Sequence, residues 1–181
     1  MTAPPCAKSA VGSRIKGRGT YPGLKTMTHS PAAPQIFTGR LVEGHRVASG
    51  LNGNPRFPGG TLLMQTPHFL ARGLDLGQFH RGTLNVSIAP LRYRVVHPRL
   101  TFRDVQWHPT EPKEDFSFFD VALLRPNRPP AEGLVYYPHP DTKPEHFQAP
   151  DVLELLLPYI EGLTYGMALT LQVPADQMII E

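Results

Sequence analysis

The sequence predicts a mainly β fold: a small, mostly antiparallel barrel carrying two short helices. Three observations carry that expectation. Apolar and polar residues alternate with period two in several short runs, the mark of half-buried strands. Helical spacing appears in only two places, so strands do not alternate with long helices as a doubly wound sheet requires. Proline (21) and glycine (16) are both frequent, which keeps elements short and loops long.

The elements follow in order. "IFTGRLVEGHRVASG" reads as a strand ending in a turn at Gly50, and "LNGNPRFPGG" as a glycine-rich loop around the turn dipeptide Asn52-Gly53. "TLLMQT" is expected to be a short buried strand. "PHFLARGLDLG" opens on Pro67, spaces Phe69, Leu70, Leu74 and Leu76 at helical intervals and stops at Gly77, so it predicts the first helix. "TLNVSI", "RYRVV", "RDVQWH", "FSFFDVALLRP" and "AEGLVYYP" read as strands between proline-containing and charged turns. "APDVLELLLPYIEGL" predicts the second helix, with Asp151 as N-cap and Pro158 closing or kinking it. "YGMALTLQVP" is the last strand. The domain is expected over 36–175, preceded by a disordered basic Pro/Gly-rich tail (1–35) and followed by a short end (176–181).

Composition narrows the function classes. Of 181 residues, 40% are hydrophobic, enough for one core. No apolar run reaches the roughly 18 residues of a membrane helix, and no secretory signal is visible, so a soluble, cytoplasmic chain is expected. The lone Cys6 excludes an internal disulfide and a cysteine-based zinc cluster. The net charge of +3 comes from the tail, where Lys8, Arg14, Lys16, Arg18 and Lys25 stand without an acid before Met27, itself a possible true start. The rest keeps 13 of the 18 basic side chains against all 15 acidic ones. A nucleic-acid surface needs clustered cations on the folded domain, so none is expected here.

The familiar phosphate signatures, G-x-x-x-x-G-K-[ST] and G-x-G-x-x-G before a helix, are absent, as are G-x-S-x-G and H-E-x-x-H. Two loops remain, "SGLNGNPRF" and "HRGTLN". Amides of a glycine-rich turn can bind an anion, although a plain loop is the simpler reading. Strand alternation places Thr83 and Asn85 on one side, and their hydroxyl and carbonyl oxygens are hard neutral donors suited to Mg²⁺ that also leans on phosphates. The plain alternative is a polar strand start.

"GRLVEGHRVASGLNGNPRF", then "LDLGQFHRGTLNVSI", then "YYPHPDTKPEHFQ", "VLELLLP" and "YGMALTLQV" resemble, in that order, the archaeal CTP-dependent riboflavin kinase family. The similarity spans about Gly39 to Val173, and "GTLNV" is its most specific segment. It implies a six-stranded cradle-loop barrel that transfers a phosphoryl group from CTP to riboflavin, giving FMN. Carried over residue by residue, Thr83 and Asn85 would hold Mg²⁺. The loop Ser49, Gly50, Leu51, Asn52, Gly53 and Asn54 would wrap the nucleotide. Thr142, His146 and Glu154 would contact the flavin, with Glu154 orienting the attacking hydroxyl or taking its proton.

The chain departs from the family at four places. Asn52-Gly53-Asn54 replaces "GEG", Arg81 replaces a proline, "PYIEGL" lacks the family's "LR", and Gly166-Met167 replaces "GD". These departures keep a second reading open, a flavin- or nucleotide-binding barrel without turnover. A third reading takes His139 and His146 as a zinc pair for hydrolysis, but it lacks a third ligand. Trp107, Tyr136 and Tyr137 read as core aromatics or as a stacking surface for a flavin ring. Asp115 and Asp120 mark strand edges and are assigned no chemistry.

Overall fold

The computed structural model describes residues 33–143 and 149–181. Residues 1–32, with Cys6 and Met27, and residues 144–148, with His146, lie outside the described residues, while Gln35, expected in the tail, already opens the first strand. The chain runs β1 (Gln35–Val42), α1 (Thr61–Leu70), β2 (Leu84–Ser87), β3 (Tyr93–Val95), β4 (Leu100–Val105), β5 (Glu114–Arg125), β6 (Arg128–Pro138), β7 (Val152–Leu156), β8 (Ala168–Val173) and β9 (Met178–Ile180).

The expected barrel is present. Antiparallel pairings run β5-β6-β7-β2-β1-β8, and β8 returns to β5 through Ala122–Leu124, closing six strands. β5 is long enough to serve two neighbours on one edge. Its first half takes β4, with Thr101 opposite Ser117, and its second half takes β8. Closure removes free edges that would otherwise invite pairing with other chains.

Alternation sorts the strands into two apolar layers. Phe119, Val121, Val135, Leu153, Leu155, Val86 and Leu171 fill the barrel interior. Phe116, Phe118, Leu134, Tyr136 and Leu156 point the other way, into a second cluster with Leu62 and Phe69 of α1 and with Phe57 and Trp107. Phe69 meets Phe116 and Phe118 edge-on, at centroid distances of 5.1 and 5.2 Å. The helix therefore lies on the outer wall of the barrel, and the site lies beside it.

Several expectations are corrected. There is one helix among the described residues, not two. "VLELL" is a strand, because Leu153 and Leu155 enter the barrel while Glu154 and Leu156 enter the outer layer. A strand buried on both faces shows a continuous apolar run, which resembles a helix in sequence. "TLLMQT" is the first part of α1 and not a strand. Leu62, Gln65 and Phe69 form the buried stripe, and Pro67 sits inside the helix instead of opening it. The first strand ends at Val42, β4 ends before Gln106, and β6 begins at Arg128. The chain end joins the fold, since β9 pairs with β3, Val95 opposite Met178.

Candidate functional site

A cavity of about 220 Å³ opens on the outer wall of the barrel, between β2, β6 and β7 on one side and the 44–61 segment and α1 on the other. Thr83, Asn85 and Glu154 line it, joined by Ser49 and Leu51 from the glycine loop. Their meeting follows from register. Asn85 on β2 stands opposite Glu154 on β7, and alternation sends both side chains away from the barrel interior. Glu154 is buried at 7% exposure. The Lys143 Nζ lies 4.0 Å from its Oε1.

The glycine loop touches this wall at one place. A Cβ on Gly82, just before Thr83, would stand 3.1 Å from the Ser49 Cβ, so the two predicted motifs pack against each other. Farther along, the loop folds on itself. Gly50 and Gly60 both hold positive φ, and a side chain on either would run into backbone of the other strand of the loop. Its amides are donated internally: Gly50 to Val47 O, Gly53 to Gly50 O, Asn54 to Asn52 Oδ1, Arg56 to Asn54 Oδ1 and Phe57 to Asn54 O. Gly50, Asn52, Gly53 and Asn54 are not among the cavity's lining residues.

Thr142 is also outside that lining. Its hydroxyl accepts the Asp115 N–H at 2.9 Å and donates to His139 O at 3.2 Å, which ties the turn after β6 to the start of β5. His139 Nε2 lies 2.8 Å from Ser117 Oγ. Burial and then the Arg103 charge hold the His139 pKa below the usual histidine value. No group of three His, Cys, Asp or Glu side chains is placed to hold a metal among the described residues. The side-chain oxygens of Thr83 and Asn85 both line the cavity, together with the carboxylates of Glu111, Glu114 and Glu154.

Sequence reasoning missed part of this site. Glu114, Lys143, Gln65, Glu111 and His80 all line the cavity. Trp107 Nε1 donates to Glu114 Oε1 at 3.2 Å. Burial nevertheless pushes the Glu114 carboxyl up to about 7, against the lowering effects of Trp107 and Lys143. Glu111 is paired with Arg56 at 2.7 Å. Burial, with Glu154 and Glu114 adding to it, raises the Tyr136 hydroxyl well above its ordinary value. Trp107 and Tyr136 turn out to be both core and cavity wall, whereas Tyr137 packs on the barrel side against Tyr93 and Phe119. No local motif links residues 65, 107, 114 and 143, and only the fold brings them together.

The cavity is thus a buried polar wall set among aromatic side chains. No helix among the described residues is long and apolar enough to cross a membrane. Neither a protein-family model nor a curated protein matches this chain, so the likeness to the riboflavin kinases rests on its own motifs.

Proposed function

We propose that this chain is a nucleotide-dependent phosphotransferase that converts riboflavin, or a closely related alcohol, to its phosphate with CTP as donor. The observation that supports this reading is the convergence of Thr83, Asn85 and Glu154 on one cavity wall, with Asn85 and Glu154 as cross-strand partners. Phosphoryl transfer depends on positioning and charge neutralisation more than on covalent chemistry from the protein. Thr83 and Asn85 would hold Mg²⁺ through their side-chain oxygens. When bound, the cation neutralises charge on the transferring phosphoryl group. Glu154 would accept a hydrogen bond from the acceptor hydroxyl and take its proton as that oxygen attacks the γ-phosphorus of CTP, whose bond to the bridging oxygen breaks to release CDP. Lys143 sets a positive charge beside that carboxylate.

The internal hydrogen bonds of the glycine loop favour a second reading, a flavin- or nucleotide-binding barrel without turnover. Amides already donated to loop oxygens are not available to a phosphate chain. One experiment separates the two. Purified protein is incubated with riboflavin, Mg²⁺ and each of CTP, ATP, GTP and UTP. FMN formation with CTP is the expected result. No FMN with any donor, together with tight binding of riboflavin or nucleotide, would replace the kinase with the binding barrel.

A further inference from the structure

The inner wall of the cavity carries a polar pair outside the family-like motifs. Gln65 is 2% exposed, and its Oε1 accepts the Tyr136 hydroxyl at 2.8 Å. Its Nε2 has no hydrogen-bond partner among the described residues. No fully sealed side-chain polar atom among them lacks a partner, so this N–H₂ keeps contact with the cavity that Gln65 lines. Glu114 repeats the pattern at 5% exposure. Trp107 occupies its Oε1, and its Oε2 has no hydrogen-bond partner among the described residues.

We propose that Gln65 and Glu114 read the polar edge of a pyrimidine-type ring, Gln65 Nε2 donating to a ring acceptor and Glu114 Oε2 pairing with the neighbouring N–H. The inference rests on the reading of this cavity as the ligand site. Buried polar groups left unpaired are costly, so a ligand that completes both is strongly preferred over one that completes neither. The surroundings favour a flat ring, because Phe57, Trp107 and Tyr136 line the same space. Charge disfavours the alternative of a phosphate at this end. Glu111 and Glu114 line the cavity close enough for their charges to interact, and Arg56 already stands beside Glu111. With its carboxyl pushed up to about 7, Glu114 can serve as acceptor or as protonated donor near neutral pH.

Such an edge belongs both to the isoalloxazine ring of a flavin and to a nucleobase, and the test separates these sources. Riboflavin and CTP are titrated calorimetrically into wild-type protein, Glu114→Gln and Gln65→Glu. Both substitutions keep the shape of the side chain and the acceptor for Trp107 or Tyr136. The expected result is a loss of at least about tenfold in affinity for one ligand in both variants, with the other unchanged. The affected ligand identifies the ring. In wild-type protein, 3-methylriboflavin or N4,N4-dimethyl-CTP should then bind correspondingly more weakly than its parent, a comparison that does not depend on a variant folding. Variants with parental melting temperatures that bind both ligands as wild type does would overturn the assignment, as would wild-type protein that binds neither. FMN formation with an unchanged KM in both variants would reject the edge contact while the kinase reading stands. Edge-dependent binding without FMN would do the reverse.

Discussion

Gly44 and Asn85 compete for one space: a Cβ on Gly44 would overlap the Asn85 side-chain amide. Glycine at the exit of β1 therefore lets Asn85 lie against the backbone and stay on the cavity wall. Gly44→Ala should turn the Asn85 amide out of place. Overpacking of this kind costs about 1–3 kcal/mol of stability. If Asn85 is a metal ligand, the substitution should also weaken Mg²⁺-dependent nucleotide binding. Thermal melts and calorimetry with and without Mg²⁺ check the two effects separately. Full metal dependence in a destabilised variant would mean that Asn85 is held there only for packing.

The barrel was legible in the sequence because its strands show alternation. "FSFFDVALL" sends Phe119, Val121 and Leu123 inward and Phe116 and Phe118 outward, as period two demands. The helix assignments failed where both faces of an element are covered. Leu153 to Leu156 have apolar or buried surroundings on each side, so their run carries no strand period. In α1, Pro67 reads as a helix start, yet the helix begins a turn and a half earlier on the Leu62–Gln65–Phe69 stripe. At the site, "GTLN" was legible because two polar residues two positions apart share a strand face, and Thr83 and Asn85 both reach the cavity. Gln65, Glu114 and Lys143 were not, because each comes from a different segment and their meeting depends on α1 packing over β5 and β6.

Glu114 gives the fold a dependence on pH. Its carboxyl is raised from an ordinary 4.5 to about 7 in the folded chain, so the folded state keeps a proton that the unfolded state has released. Its contribution is fully present below about 4.5 and is lost as pH rises through about 7. His139 acts in the opposite sense, since its lowered pKa makes acidification below its ordinary 6.5 favour the unfolded chain. Denaturant melts of wild type and Glu114→Gln between pH 4.5 and 8 isolate the carboxyl by difference. The variant should gain stability relative to wild type as pH rises across that window. A constant difference would show that Glu114 titrates alike in both states.

Tyr136→Phe tests the hydrogen bond behind the cavity wall. The ring contacts with Phe116 and Phe118 remain, but Gln65 Oε1 loses its donor at 2.8 Å. A buried acceptor left unpaired costs about 1–3 kcal/mol. Adding Gln65→Leu should recover much of that loss, because both polar partners are then gone. The shift in denaturant midpoint for the single and double variants measures the coupling. Additive losses would place the hydroxyl and the amide outside a shared hydrogen bond.

The assignment of Thr83 and Asn85 as metal ligands predicts a loss that separates binding from folding. Thr83→Val keeps β-branching, so strand propensity barely changes. Asn85→Leu removes the amide while keeping a branched side chain of similar shape. Each lost ligand should weaken Mg²⁺-dependent nucleotide binding by about 1–3 kcal/mol, the cost of an unmet polar contact. Binding measured without Mg²⁺ should hardly move, since the side chains act through the cation. If the two residues only start a strand, both variants would bind nucleotide with the parent's affinity and metal dependence and differ in melting temperature alone. Calorimetric titration of CTP into both variants, with and without Mg²⁺, gives the answer. Unchanged metal dependence in both would remove Thr83 and Asn85 from the site and leave Glu154 without a metal partner on its wall.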